Sequence, residues 1–312
     1  MDLSIIIVNW NTAACVRQCL HSLFAHCRLD DVEIVVVDSG SFDGCDRMLA
    51  REFPGVRFVQ SRENVGFARA NNLGVRSALG EAFLFLNPDT VLHEDTPAQL
   101  LHCLATLPRA GAVGCRLLNA DGSVQTSALQ AFPTVLNQVL DAHWLRERFP
   151  ESPLWGMAPL YRRGSAPSEA AALSGACLAV TRQAFAAVGG FSECYFMYGE
   201  DLDLCRKLHD AGWKVYYTPE TSLVHLGGGS SRQAPGDFSI VMMRISVHRF
   251  IRLHQGRAAA AGYRVAMGVS AILRLLLIGP ARLFGDRVVR HGADSWRKWR
   301  AILGWSAGLR ML

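Results

Sequence analysis

The chain predicts a doubly wound α/β sheet, mostly parallel, with a basic helical extension after it. Three observations lead there. Short apolar runs rich in β-branched residues alternate with segments of helical spacing over the first 120 residues or so. Those runs are continuous and do not alternate apolar with polar, which marks strands buried on both faces. The charge is divided along the chain. Residues 244–312 hold 13 Arg and Lys against two acids (Asp286 and Asp294), a net of +11, on a body of net −6.

Taken in order, residues 3–9 (LSIIIVN) form the first buried strand, and residues 12–27 place Val16, Leu20, Leu23 and Phe24 at helical spacing. Glu33–Asp38 is a second strand, closing in the turn-rich SGSFDG. A helix over 43–53, a strand at Val56–Gln60, a helix at Gly66–Leu79 and a strand at Ala82–Leu86 follow. The fourth strand ends at Asn87-Pro88-Asp89. Residues 94–107 read as a helix and Gly111–Leu118 as a strand. Residues 119–168 hold several Pro, Gly and Ser without a clear period, and predict a long excursion with a short helix near 134–148. Regular structure resumes with a strand at Leu173–Thr181, helices at Arg182–Val188 and Asp201–Ala211, a strand at Lys214–Tyr217 and an extended end at Ser222–His225. The expected division is an α/β domain over 1–237 (halves of about 1–118 and 119–237) and a helical basic region over 238–312.

Composition and missing motifs narrow the function. With 50% hydrophobic and 19% charged residues the chain is no disordered tract. The nine cysteines include no C-x-x-C pair, so no zinc ribbon or thioredoxin motif is supported, and reduced thiols in a cytoplasmic setting are expected. The opening MDLSIIIVNW has an early acid and an apolar run of only strand length, unlike a signal peptide. There is no P-loop, no G-x-G-x-x-G after the first strand and no G-x-S-x-G elbow. What remains is a spread of carboxylates. In open α/β sheets ligands bind at the carboxyl ends of strands, where Asp38 and Asp89 fall. A second acidic group is Glu200-Asp201 with Asp203, at the start of an expected helix, where a plain helix-dipole charge is the simpler alternative.

Seven blocks in order resemble family 2 glycosyltransferases of the GT-A fold, nearest to bacterial rhamnosyltransferase-type members. They are SIIIVNWNT, VVVDSGSFDG, ENVGFARANNLG, FLFLNPDT, GACLAVTRQAF, GGFSECYFMYGEDLDLCRKLHDAGW and HLGGGSS, within residues 3–232. The resemblance implies inverting transfer from a nucleotide sugar, with L-rhamnose from dTDP-rhamnose expected and UDP-linked hexoses or a non-catalytic binding scaffold left open. It implies Asp201 as the base that takes the acceptor proton and Glu200 as its neighbour orienting the acceptor. It places Asn9, Asp38, Gly66, Arg69, Asn72, Asn87, Gly175 and Ala176 around the donor, with Asp38 accepting the imide N–H of the base. It implies a divalent cation, Mg²⁺ or Mn²⁺, at Asp89 with His225. Asn87 stands where the family's D-x-D pattern begins, which leaves one firm carboxylate for a hard cation that fills its shell with phosphate and water. Backbone amides of Gly227–Ser231 and the side chain of Arg232 are further candidates for the diphosphate. Tyr195, Phe196 and Tyr198 are read either as a wall for the sugars or as core.

The extension carries Ile240, Met243, Val247, Phe250 and Ile251 on one helical face. Residues 265–281 form an apolar stretch broken only by Arg274. Residues 295–309 supply Trp296, Trp299 and Trp305 beside Arg297, Lys298 and Arg300. The expectation is a peripheral anchor on an anionic membrane surface, at the cytoplasmic face of the inner membrane, with Trp and Arg at the interface and no full span. A packed helical subdomain or a homo-oligomer contact is the alternative. Nucleic acid is not expected as a partner. A lipid-linked or glycan acceptor completes the expected set of partners.

Overall fold

The computed structural model describes residues 1–140, 149, 152, 166–227, 236–281 and 286–309, with backbone alone at 130, 279–281 and 286–294. The chain divides into two compact units: the described residues of 1–132 and 157–233 form one, and those of 133–156 and 234–312 the other.

The first unit is built on strands β1 (Leu3–Asn9), β2 (Val32–Ser39), β3 (Arg57–Ser61), β4 (Ala82–Leu86), β5 (Thr90–Leu92) and β6 (Ala110–Leu118). Helices α1 (Ala13–His26), α2 (Cys45–Glu52), α3 (Gly66–Ser77) and α4 (Thr96–Thr106) lie between them. Further on come β7 (Leu129–Gln130), β8 (Ser168–Glu169), β9 (Ala172–Leu173), β10 (Cys177–Thr181), the short α6 (Arg182–Ala187), α7 (Glu200–Asp210) and β11 (Lys214–His225). The main sheet runs β3-β2-β1-β4-β10-β6-β11-β5, with β8 on β11. Pairings β3–β2, β2–β1, β1–β4 and β6–β11 are parallel, while β10 runs against both β4 and β6. All seven residues of β1 are buried, as its unbroken apolar run requires.

The expected elements fall within a few residues of those observed, with three instructive differences. The strand expected over Leu173–Thr181 is two pieces, β9 and β10, separated by Ser174-Gly175-Ala176. The two pieces expected near 214–225 are one strand, irregular between Thr218 and Ser222. β5 was too short to register as a period, and exists because it pairs with the end of β11.

The second unit holds α5 (Val135–Val139), α8 (Phe238–His254), α9 (Arg257–Ala281) and α10 (Asp286–Ser306). Its core gathers Val241, Val247, Ile251, Tyr263, Met267, Ala271, Trp299, Ile302 and Trp305. α5 starts on a Thr134–Asn137 capping box and packs Val135 and Val139 against this core. At Gly268 a Cβ would lie 2.9 Å from Ser306 Oγ, so glycine sets how closely α9 approaches α10. Two tryptophans expected at a membrane interface are core instead: Trp299 is 7% and Trp305 5% exposed. Their rings pack on α9, Trp305 beside Tyr263 and Trp299 beneath Arg274. The rest of the helix expected over 134–148 lies outside the described residues beyond Leu140.

Within the first unit, Phe85 meets Phe191, Phe185 and Phe83 at centroid distances of 4.7, 5.3 and 6.3 Å. This cluster joins the sheet to the segment that leads into α7. Phe85→Ala is expected to lower unfolding free energy by about 3–5 kcal/mol, since truncation leaves a cavity among rigid rings. Denaturant titration of the full chain would read it.

Candidate active site

The sheet brings its catalytic candidates to one edge. Asn9 and Asp38 are register partners at the ends of β1 and β2. Asn9 is fully buried and spent on the scaffold. Its amide donates to Asp38 Oδ1 at 2.6 Å, Ser41 Oγ at 3.1 Å and Asp43 Oδ1 at 3.0 Å. Its carbonyl oxygen accepts from the Thr12 amide and hydroxyl. Asp43 Oδ2 in turn accepts from Ala13 N at 2.8 Å, closing the start of α1. Asp38 accepts five bonds: from Asn9, from the Ser41 hydroxyl and amide, from Phe42 N at 3.2 Å and from Gln60 Nε2 at 2.6 Å. Burial would raise its pKa, but these donors, led by Ser41 and Gln60, outweigh burial and hold it below the ordinary value. Gln60 was not singled out in the sequence, because nothing local to β3 marks it.

The end of β4, the start of β10 and the end of β11 form a second cluster. Asn87 N donates to Ala176 O at 3.0 Å. His225 is drawn in by the pairing of β11 with β5, where it stands opposite Thr90. Its Nδ1 donates to Gln125 Oε1 at 2.7 Å. Its Nε2 then faces Asn87 Nδ2 and Asp89 Oδ1, each at 3.3 Å. Gln125 is therefore the residue that orients the His225 ring, and no sequence signal pointed to it. Among the described residues no group of three or more His, Cys, Asp and Glu converges as a metal cage. Asp89 and His225 are two half-enclosed donors, one hard oxygen and one imidazole nitrogen. They fit a divalent ion that takes its other ligands from a substrate and water.

The third cluster is the start of α7. Gly199 (φ 81°) and Tyr198 (φ 69°) turn the chain so that Glu200, Asp201 and Asp203 begin the helix. The three carboxylates have separate fates. Asp203, at 1% exposure, accepts from Ser192 Oγ at 2.5 Å and pairs with Lys207 at 3.4 Å, fastening the 190–195 loop to the helix. Asp201 Oδ2 accepts from Gly175 N at 3.0 Å and Oδ1 from Leu202 N at 2.8 Å. Burial raises its pKa and these two amides oppose the rise. Glu200 is pushed up to about 8, first by burial and then by the Asp201 charge, and its buried Oε2 has no hydrogen-bond partner among the described residues. Burial thus raises both carboxyls, and the two backbone amides restrain the rise at Asp201 while nothing comparable restrains it at Glu200.

Gly175, in the break between β9 and β10, lies between the Phe67 ring and Asp201: a Cβ there would sit 3.4 Å from the ring and 3.5 Å from Asp201 Cβ. Gly66 has φ +78°, and a Cβ there would meet Phe196 O at 2.3 Å. Glycine is thus what lets the loop before α7 close on the start of α3, where Phe67 N donates to Phe196 O. Tyr195 is core, with its hydroxyl on Asp203. Two expected donor contacts are turned elsewhere. Asn72 spends its amide on both backbone groups of Phe191, and the exposed Arg69 pairs with Glu193 at 3.5 Å. Residues 228–232, expected at the diphosphate, lie outside the described residues.

An open α/β sheet with carboxylates gathered at its strand ends and at a helix start is the arrangement in which such sheets bind their ligands. The chain belongs to glycosyl transferase family 2, whose model matches residues 4–167. A second model, "N-terminal domain of galactosyltransferase", matches residues 163–226. The chain is 35% identical over 222 residues to an N-acetylglucosaminyl-diphospho-decaprenol L-rhamnosyltransferase of Mycobacterium tuberculosis, covering 65% of this chain and 69% of the relative. It is 24% identical over 238 residues to the rhamnosyltransferase WbbL of Escherichia coli K12, covering 73% and 84%. Among solved structures, GalNAc-T7 with UDP, GalNAc and Mn²⁺ shares the fold at a TM-score of 0.59 and 16% identity, over 81% of this chain and 48% of that one. The Pyrobaculum calidifontis mannosyltransferase with GDP-Man and Mn²⁺ does so at 0.53 and 20%, over 98% and 86%. The architecture is GT-A-like.

The pKa of Glu200 carries a sign. A carboxyl raised in the folded state contributes stability below its unfolded pKa, and loses it as pH rises toward about 8. Glu200→Gln mimics the protonated form and removes that loss. Its Tm relative to the parent chain is expected to climb steadily from pH 5 to pH 8. A difference independent of pH would show that Glu200 is ionised throughout.

Proposed function

We propose that the protein transfers L-rhamnose from dTDP-rhamnose, with inversion, to a lipid-linked or glycan acceptor in cell-surface glycan synthesis. We place it as a peripheral protein at the cytoplasmic face of the membrane. The observation that carries the catalytic reading is Asp201: a carboxylate held by the amide of Gly175 beside the small-residue break, next to a protonated Glu200. The mycobacterial and E. coli relatives are both rhamnosyltransferases, which favours rhamnose.

In a single displacement the acceptor hydroxyl attacks the anomeric carbon opposite the leaving diphosphate. Asp201 takes the hydroxyl proton as that bond forms. The two amide bonds from Gly175 and Leu202 hold it in place and oppose the rise that burial imposes on its pKa. Protonated Glu200 donates a hydrogen bond to the acceptor and adds no second negative charge beside the base. Asp38 receives the imide N–H of the base. A base N–H reaches it where Ser41 Oγ or Gln60 Nε2 gives up its place, since a carboxylate has about four lone-pair positions and five donors already surround it. Asn87, Gly175 and Ala176 line the donor side, and Gly66 closes the loop over it. Asp89 and His225 would hold Mg²⁺ or Mn²⁺, with Gln125 orienting the His225 ring. The ion supplies charge that offsets the departing nucleoside diphosphate.

Asp201→Asn is expected to lower kcat about 10²–10⁴-fold with donor affinity retained. Steady-state transfer and donor titration would read the two separately, and near-normal turnover would move the base to Glu200. Gln125→Leu is expected to weaken Mn²⁺ binding about 10–100-fold in the presence of dTDP, because the imidazole loses its orienting partner. Electron paramagnetic resonance of free Mn²⁺ would measure it, with Asp89→Ala as the larger loss.

A further inference from the structure

Helix α9 is built the wrong way round for a protein facing only water. Its inner face packs Ala260, Tyr263, Met267 and Ala271 into the core of the second unit. Past its first residue, its cations go inward too. Arg264 donates to Ser306 O at 2.9 Å and Trp305 O at 3.2 Å. Arg274, the one charge in the apolar stretch, donates to Val139 O at 2.9 Å and lies 4.2 Å from the Trp299 ring centroid. The outer face from Ala258 to Leu277 is then wholly apolar, about 30 Å long at 1.5 Å per residue. Val265, Leu276 and Leu277 are 68%, 66% and 75% exposed, and Val269, Ile272 and Leu273 continue the same stripe. A continuous apolar stripe of this kind marks an interaction surface.

We infer that the outer face of α9 lies in the interface of an anionic lipid bilayer, with its axis in the membrane plane. The inference deepens the peripheral placement proposed above and rests on it, but not on the identity of the sugar. Charge decides between lipid and a second copy of the chain. Residues 244–312 carry a net of +11, so two copies meeting here would bring like charge together, whereas an anionic surface attracts it. Composition agrees, because protein interfaces favour aromatic and Arg side chains, and along the stripe itself, from Ala258 to Leu277, both are turned inward. Exposed Arg252 and Arg257 stand at the amino end of the stripe, where head groups would meet them. By length and composition Arg257–Ile278 is long and apolar enough to cross a membrane. Crossing would carry Arg264, Ser270 and Arg274, with the helices that cover them, into hydrocarbon, so the helix lies in the plane instead.

The test is co-sedimentation of the full chain with vesicles of phosphatidylcholine, with and without phosphatidylglycerol, at low and high salt. The parent chain should bind the anionic vesicles, and salt should weaken but not abolish binding. Combined Val269→Gln, Leu273→Gln and Leu276→Gln changes touch only exposed positions, and should lower partitioning about a hundredfold or more through lost apolar insertion. Arg252→Gln and Arg257→Gln should each lower it about fivefold, on anionic vesicles only. A triple variant that binds vesicles like the parent but loses self-association in sedimentation velocity would overturn the inference in favour of a second copy. Retention of the parent chain through alkaline carbonate would overturn it in favour of a span. Transfer to a detergent-dispersed acceptor, run on the same variants, reports on the catalytic reading alone: its loss in the parent chain would sink that reading and leave the vesicle result standing.

Discussion

Everything at the candidate site depends on β1 having parallel partners on both sides. Pairing with β2 sets Asn9 beside Asp38, and pairing with β4 carries Asn87 to the same edge. Parallel strands share a direction, so their carboxyl ends share a rim, and chemistry that needs several groups can collect there. The one reversed strand in the centre obeys the same rule from the other end. β10 runs against β4, so its beginning lies at that rim, and with it Gly175 and Ala176. The rim is completed by His225 at the close of β11, which runs parallel to β6.

The rim works because each polar group on it has been given one state. Asp38 is fixed as an anion by donors from three segments. Glu200 is kept neutral by burial with an unanswered oxygen. His225 is held in one ring orientation by Gln125. Asp203, two residues from the proposed base, is locked into a structural bond with Ser192 and Lys207. Preorganised states of this sort spare the reaction the cost of reorienting dipoles as charge develops.

The buried strands were legible in the sequence because an unbroken apolar run is a local signal, and β1, β2 and β4 were placed within a residue or so by it. Asp38 and Asp89 followed from their place at strand ends. What was not legible depends on partners far along the chain. β5 is three residues and exists through β11. Gln125 and Gln60 have no motif, and gain their tasks only when His225 and Asp38 are folded against them. Asn72 looked like a donor contact and is a clamp for Phe191. The tryptophans of α10 looked like a surface belt, but a helix of that pattern does not reveal which face its neighbour will cover. The exposed apolar stripe fell instead on α9, once Arg264 and Arg274 had turned inward.

The reversed central strand also bears on how the protein is made. β4 and β6 do not touch in the finished sheet; β10, which ends at Thr181, fills the slot between them. A chain emerging from the ribosome therefore carries two apolar strands with open hydrogen-bonding edges until some sixty further residues have followed β6. Such edges are templates for wrong pairing, and closure across so long a loop is slow. Folding of the nascent chain thus depends on how long those two edges stay open before the strand that belongs between them arrives.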